Sequence, residues 1–243
     1  LNSTNLSISK NKIMSAVKSF QESAQAAAIA LLEKGPGMAQ TWSEAFPKLF
    51  PYATLSDAGG VFEKDGNATA AAALAATTNV LGEISTELDM LEQYITLTIP
   101  PMEDGNNFGV SVQLSALKLV SEAREKVLDA ALEDLMKYSS SRAEAMEKCK
   151  PPSTSTTETS TVSESNSQEN TEEKSSKATS KETKTVSSTS EVSTALAFRQ
   201  QAVTSVDVLY YNKAKNAYTR ALTAYLACLD FFDKNQRKID APK

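Results

Sequence analysis

Apolar residues recur along this chain three and four positions apart, the spacing of one face of an α-helix. From Ile13 through Val17, Phe20, Ala24 and Ala27 to Leu31 the steps run four, three, four, three and four. Gly35-Pro36 predicts the end of that helix, because glycine just past a C-terminus followed by proline stops one. A second stripe, Leu74, Leu81, Ile84, Leu88, Leu91 and Ile95, closes at Pro100-Pro101. A third joins Val110, Leu114, Leu117, Val120, Ala123, Val127, Ala131, Leu135 and Tyr138 and closes at Pro151-Pro152. A fourth joins Val203, Val206, Tyr210, Ala214, Ala217, Ala221, Ala224, Cys228 and Phe231. Between Gly35 and Gly66 the aromatics Trp42, Phe46, Phe50, Tyr52 and Phe62 stand among glycines and prolines, which reads as a loop with a short helix from Ala39 to Phe46. No segment alternates as a strand does. Each helix is expected to span about 25 to 45 residues, roughly 40 to 65 Å.

Long helices with apolar stripes bury them against one another. The expected fold class is therefore all-α, an up-down-up-down four-helix bundle. The link from Pro100 to Phe108 is short enough to force its helices to be antiparallel neighbours. In that topology this loop and the C-terminus share one pole, and the two longer connections share the other. Alanine is heavy in the second and fourth helices (Ala70 to Ala76; Ala214, Ala217, Ala221, Ala224 and Ala227). Small residues allow close helix approach, so burial on two sides, within the chain and against a neighbouring copy, is a reading of that pattern beside simple helix propensity.

One stretch breaks the pattern. Between Pro151 and Ser190, 22 of 40 residues are Ser or Thr, and only Val162, Ala178 and Val186 are apolar. Such a segment buries too little surface to offset the entropy of ordering it, so it reads as disordered. The organisation expected is residues 1–150 for the first three helices, 151–190 for the insert and 191–243 for the fourth helix of the same bundle.

Composition narrows the chemistry. Of 243 residues, 41% are hydrophobic and 23% charged, and the net charge of −5 leaves no overall basic footprint for nucleic acid. Histidine is absent, which removes the commonest general base and the commonest neutral metal ligand. The sequence carries no GxxxxGK[ST], no HExxH and no EF-hand pattern. Glu83, Glu87 and Glu92 fall at helical spacing, yet a di-iron bundle also needs Glu-x-x-His pairs; a solvated face or channel lining is the reading for them. No catalytic, cofactor-binding or metal-binding residues are assigned, and no enzyme is expected. Cys149 and Cys228 are far apart, which fits a reducing compartment, cytoplasmic or nuclear. Nothing approaches the ~20 apolar residues of a membrane span, and low basic content argues against membrane-surface binding. The chain begins at Leu1 rather than methionine, which suggests a fragment.

The short interhelical loop is richer than a connector requires. It reads Ile99-Pro100-Pro101-Met102-Glu103-Asp104-Gly105-Asn106-Asn107-Phe108-Gly109-Val110-Ser111-Val112-Gln113. Two prolines stiffen it, Gly105 permits an unusual backbone angle, and Asn106 or Asn107 can cap the next helix. On composition alone it is equally a well-capped tight turn.

At this string the sequence resembles the REG (11S) proteasome activator family. Ile99-Pro100, Glu103 to Val110 and Val112-Gln113 look like that family's activation loop and the start of its third helix. Weaker likeness extends to Lys137-Tyr138, Arg142-Ala143, Phe198-Arg199 and the run Lys238 to Lys243. The resemblance implies a heptameric ring of self or paralogous subunits that caps the 20S proteasome without ATP. C-terminal tails would dock between its α subunits, while activation loops, here Pro100, Pro101, Met102, Glu103, Asp104, Gly105, Asn106, Asn107, Phe108 and Gly109, open the gate. Ala241, Pro242 and Lys243 would lead to the docking tail, whose last residues in the family lie beyond this proline-basic pair. The family's low-complexity segment usually joins helices one and two; here the insert joins three and four, a tolerated insertion or a mobile brush at the channel entrance. The competing reading is a helical scaffold whose Ser/Thr-rich insert is a phosphorylated docking segment.

Overall fold

The computed structural model describes residues 2–100, 108–149 and 188–242. The insert read as disordered lies outside these except at its end. The helix that follows it starts at Ser188, inside the stretch given to the insert, because an anchored helix propagates outward by one bond per residue added.

Among the described residues there are helices and no strand. The first, α1, runs unbroken from Asn2 to Leu49 and contains Pro36 and Pro47. The stop expected at Gly35-Pro36, and with it the separate short helix from Ala39 to Phe46, are therefore corrected. The buried stripe continues across the dipeptide through Leu31, Gly35, Ala39 and Trp42 to half-buried Phe46, at steps of four, four, three and four. Gly35 is a contact residue here. A Cβ on it would stand 2.7 Å from the Tyr225 hydroxyl and 2.8 Å from Cδ1 of Leu229. Pro36 faces solvent, so the backbone carbonyl its ring leaves unbonded one turn back lies toward water.

Gly35→Ala therefore sets two effects against each other. Alanine favours a helix over glycine by about 1 kcal/mol, whereas overfilling a packed contact costs about 1–3 kcal/mol. A net loss of about 1 kcal/mol is expected in urea denaturation, because the Tyr225 ring it meets is fully buried. A gain in stability would show that the ring gives way.

A second helix, α2 (Leu55–Asp65), replaces the rest of the expected loop. Its start is a capping box: the Asp57 amide donates to Thr54 Oγ1 at 3.1 Å, and the Thr54 amide donates to Asp57 Oδ2 at 3.2 Å. Gly66 (φ 65°) and Asn67 (φ 82°) then turn the chain in left-handed conformation. The helix α3 (Ala68–Thr98) buries all six positions of its expected stripe and ends before Pro100.

The third rod is not one regular helix. It comprises α4 (Phe108–Ala123), a π-helical turn (Arg124–Asp129), α5 (Ala130–Met136) and α6 (Tyr138–Cys149). The wider turn inserts a residue into the register. Val127 and Ala131 are consequently only half-buried, and Leu128 takes the core position. At the front of α4 the buried line is Gly109, Gln113, Ala116, Val120 and Ala123, which displaces Leu114 to 52% exposure.

The last helix, α7 (Ser188–Asp240), packs against every other helix of the fold. It buries more than one stripe. Beside Tyr210, Ala214, Ala217, Ala221 and Cys228 runs a line at seven-residue intervals, Tyr211, Tyr218, Tyr225 and Phe232, all buried. The three tyrosine rings meet Trp42, Phe46, Phe50, Tyr52 and Phe62 from α1, α2 and the turn between them. Several of the alanines read as a face toward a neighbouring copy thus lie within the chain's own core.

Side-chain contacts fix the topology. At one pole α1, α3, α4 and α7 meet: Gln21 bonds the Leu97 carbonyl, and Tyr94 donates to Asp240. At the other, Asn67 of the α2–α3 turn, Tyr138 and Arg142 of α6 and Asp207 of α7 form one network. The up-down-up-down four-helix arrangement is as expected.

Candidate functional site

The pole that bears the short loop is built by three chain segments that end or begin there. The helix α3 ends at Thr98, with the Ile99 amide closing the last turn onto Ile95 at 3.1 Å. Ile99 itself is extended, and Pro100 follows outside the helix. Pro101, Met102, Glu103, Asp104, Gly105, Asn106 and Asn107 lie outside the described residues. The chain is described again at Phe108, which opens α4 and is 63% exposed, with Gly109 buried behind it. The end of α7 arrives beside both. Ile239 is buried, the Ala241 amide bonds Arg237 at 3.3 Å, and Ala241 and Pro242 leave the helix. Lys243 lies outside the described residues.

These ends are joined to one another. The carboxamide Nε2 of Gln113 donates to the Ile239 carbonyl at 2.8 Å and lies 3.3 Å from the Thr98 carbonyl. Helix C-termini leave their last carbonyls without intrahelical donors, and one glutamine serves two of them. Gln113 is fully buried, and its Oε1 has no partner. The Tyr94 hydroxyl donates to Asp240, and burial first, then that carboxylate, pushes the phenol well above its ordinary range. Lys238 Nζ stands 4.9 Å from the centre of the Phe108 ring. The expected juxtaposition of loop and C-terminus is thus present in the described flanks, Pro100, Phe108, Gly109, Ala241 and Pro242.

Tyr94 and Asp240 were not legible as site residues. Gln113 stands in the loop string and in the family likeness, with no role of its own assigned from sequence. Its signal is a polar residue in phase with buried apolar ones, and the stripe drawn through Leu114 hides it by one position.

Among the described residues no group of three or more Cys, Asp or Glu converges to hold a metal ion. None of the described helices is long and apolar enough to cross a membrane. The carboxylates read as a solvated face or channel lining are engaged within the chain: Glu83 accepts from Trp42 Nε1 at 3.2 Å, Glu87 from Tyr225, and Glu92 from Arg124. Burial raises the pKa of Glu87, the Tyr225 hydroxyl opposes that, and Glu83 adds to it.

A model of the family described as proteasome activator PA28, C-terminal, matches residues 65–155, which contain the whole short loop. The crystal structure of the 11S subunit of the Plasmodium falciparum proteasome, PA28, superposes with a TM-score of 0.63 at 19% identity, covering 96% of this chain and 95% of that one. The mutated P26 activator solved in complex with an archaeal 20S proteasome gives 0.61 at 16% identity, over 93% and 94% of the two chains. The structure of an archaeabacterial 20S proteasome–PA26 complex gives 0.60 at 17% identity, again over 93% and 94%. At these identities the structural likeness is one of fold. The resemblance to the REG (11S) family carried by the loop string is borne out by the family match over that string and by the shared fold.

Proposed function

From a PA28 C-terminal match that spans the short loop, on a chain that folds as the 11S proteins do, we propose that this protein is a subunit of an ATP-independent proteasome activator. Copies of it, or paralogous subunits, form a heptameric ring that caps the 20S proteasome. The C-terminal tails dock between the α subunits. The activation loops, Pro100 to Gly109, press on the α ring and open its gate. No cofactor takes part, and the protein is not itself an enzyme. The observation that carries this reading is the joining of loop base and tail base at one pole through Gln113 and Tyr94. A gate opener that anchors by its tail and pushes with its loop needs both on the same surface.

The test mixes full-length protein with latent 20S proteasome and follows hydrolysis of a short fluorogenic peptide without ATP, beside an Asn107→Tyr variant. Wild type is expected to stimulate hydrolysis roughly tenfold or more, within the range that coupled equilibria span. The variant should bind and fail to stimulate. Absence of stimulation by wild type, with no ring in light scattering, would reject the reading and favour the helical scaffold.

A further inference from the structure

We propose that Gln113 is a positioning residue that mechanically couples the docking tail to the activation loop, so that the two do not act independently. The inference rests on the activator reading above and adds a device to it.

The argument begins with burial. A fully buried carboxamide is unfavourable unless its polar atoms are bonded. An apolar residue in phase with Ala116 and Val120 would seal this end of the core without that penalty. What glutamine supplies instead is one planar amide shared by two helix ends. Its donors reach the Thr98 carbonyl, two residues before Pro100, and the Ile239 carbonyl, two residues before Ala241. The partners are 15 and 126 residues away in sequence, so the amide sets a distance that no local turn sets. Gln113 itself stands five residues into α4, the helix that opens at Phe108. One side chain therefore references three points to each other: where the loop leaves α3, where it returns at α4, and where the tail leaves α7.

Two flanking contacts keep the α7 end from swinging about that point. Tyr94 holds Asp240, and Lys238 lies over Phe108. The unpartnered Oε1 leaves the amide held on its donor side alone. A pull on the tail at Ala241 is thus felt at Thr98 and Phe108 through bonds rather than through a soft interface. The relative placement of the two loop stems, Thr98 and Phe108, is thus tied to the helix end from which the tail leaves.

Gln113→Met tests this, since methionine has nearly the same length and volume and no donor. Two readouts separate the roles. In the fluorogenic-peptide assay with 20S proteasome, the activator concentration giving half-maximal rate reports docking, and the maximal rate reports gate opening. The variant is expected to keep the first within about threefold and lose roughly five- to tenfold of the second, a coupling of ordinary allosteric size. Tyr94→Phe, which removes one hydroxyl only, should show the same split more weakly. In the activator alone, amide hydrogen exchange at Ile99 and at Ala241 should accelerate together in Gln113→Met. Unchanged maximal rate, a shifted half-maximal concentration with full maximal rate, or loosening at only one of the two amides would each overturn the coupling. If wild type fails to stimulate while the two amides still loosen together, the activator reading falls and the structural coupling stands.

Discussion

Replacing Asp207 with alanine is expected to lower the unfolding free energy by about 3–5 kcal/mol, the usual loss when one member of a buried ion pair is removed. Asp207 is 2% exposed on α7 and accepts from the Tyr138 hydroxyl at 2.6 Å and from Arg142 Nε at 2.9 Å. Both donors belong to α6. The Arg142 side chain is 21% exposed and also reaches the Gly66 carbonyl at 3.4 Å, while the Asn67 amide lies 2.8 Å from the Tyr138 hydroxyl. Alanine would leave a partly exposed guanidinium beside a cavity and a buried phenol without its acceptor. Burial first, with the carboxylate behind it, holds that phenol at a pKa of about 12, so it remains a donor at neutral pH. Asp207→Asn keeps an acceptor and should lose only about 1–2 kcal/mol. The double replacement Asp207→Leu with Arg142→Met should recover much of the loss, because it removes the stranded charge as well. Urea denaturation of the three variants decides the matter. A loss under about 1 kcal/mol for the alanine variant would mean that water reaches the pair, as it does at surface ion pairs.

This network is the tie between α6, α7 and the α2–α3 turn at the pole remote from the short loop. Beyond it α6 runs on to Cys149, and α7 has its start at Ser188. A weakened network should let that pole open while the loop pole, held by Gln113, stays closed.

Tyr218→Ala should cost about 3–5 kcal/mol by the same kind of measurement, as truncation of a buried aromatic does. The ring is fully buried, with centroids of Phe46 and Phe50 at 5.6 and 6.0 Å. Its hydroxyl donates to the Trp42 carbonyl at 2.8 Å. Tyr218→Phe removes that bond alone, and because a helix carbonyl keeps its backbone donor the loss should be about 1 kcal/mol. The gap between the two variants measures packing against hydrogen bonding at the seam between α1 and α7. Trp42 is the only tryptophan in the chain and is buried, so its fluorescence reports whether α1 stays docked. Equal losses for Phe and Ala would assign the stability to the hydroxyl and contradict the packing account.

The places where sequence reading succeeded and failed share a cause. The α3 stripe was read correctly at all six positions because apolar period and the Pro100-Pro101 stop are local features of one strand of chain. The common pole of loop and C-terminus followed from helix count and link length. Gly35-Pro36 was misread because a glycine that ends a helix and one that admits a neighbouring helix are the same residue; Tyr225 and Leu229, which distinguish them, lie far along the chain. The π-helical turn moved Leu128 into the core in place of the positions the regular period selects. The line of Tyr211, Tyr218, Tyr225 and Phe232 was passed over because α7 buries two adjacent stripes, and a search for one amphipathic face finds only one.

By itself, then, the sequence determined the helical class, the bundle, the short loop with its family likeness and the absence of histidine chemistry, because period, breakers and composition are properties of neighbouring residues. Tertiary structure alone decided that α1 continues through its proline, that Asp207 is a buried ion-pair partner, and that Gln113 joins Thr98 to Ile239. Whether a polar side chain is buried and bonded depends on donors and acceptors brought by segments as far as 176 residues away, as from Tyr218 to Trp42, and no local pattern encodes that distance.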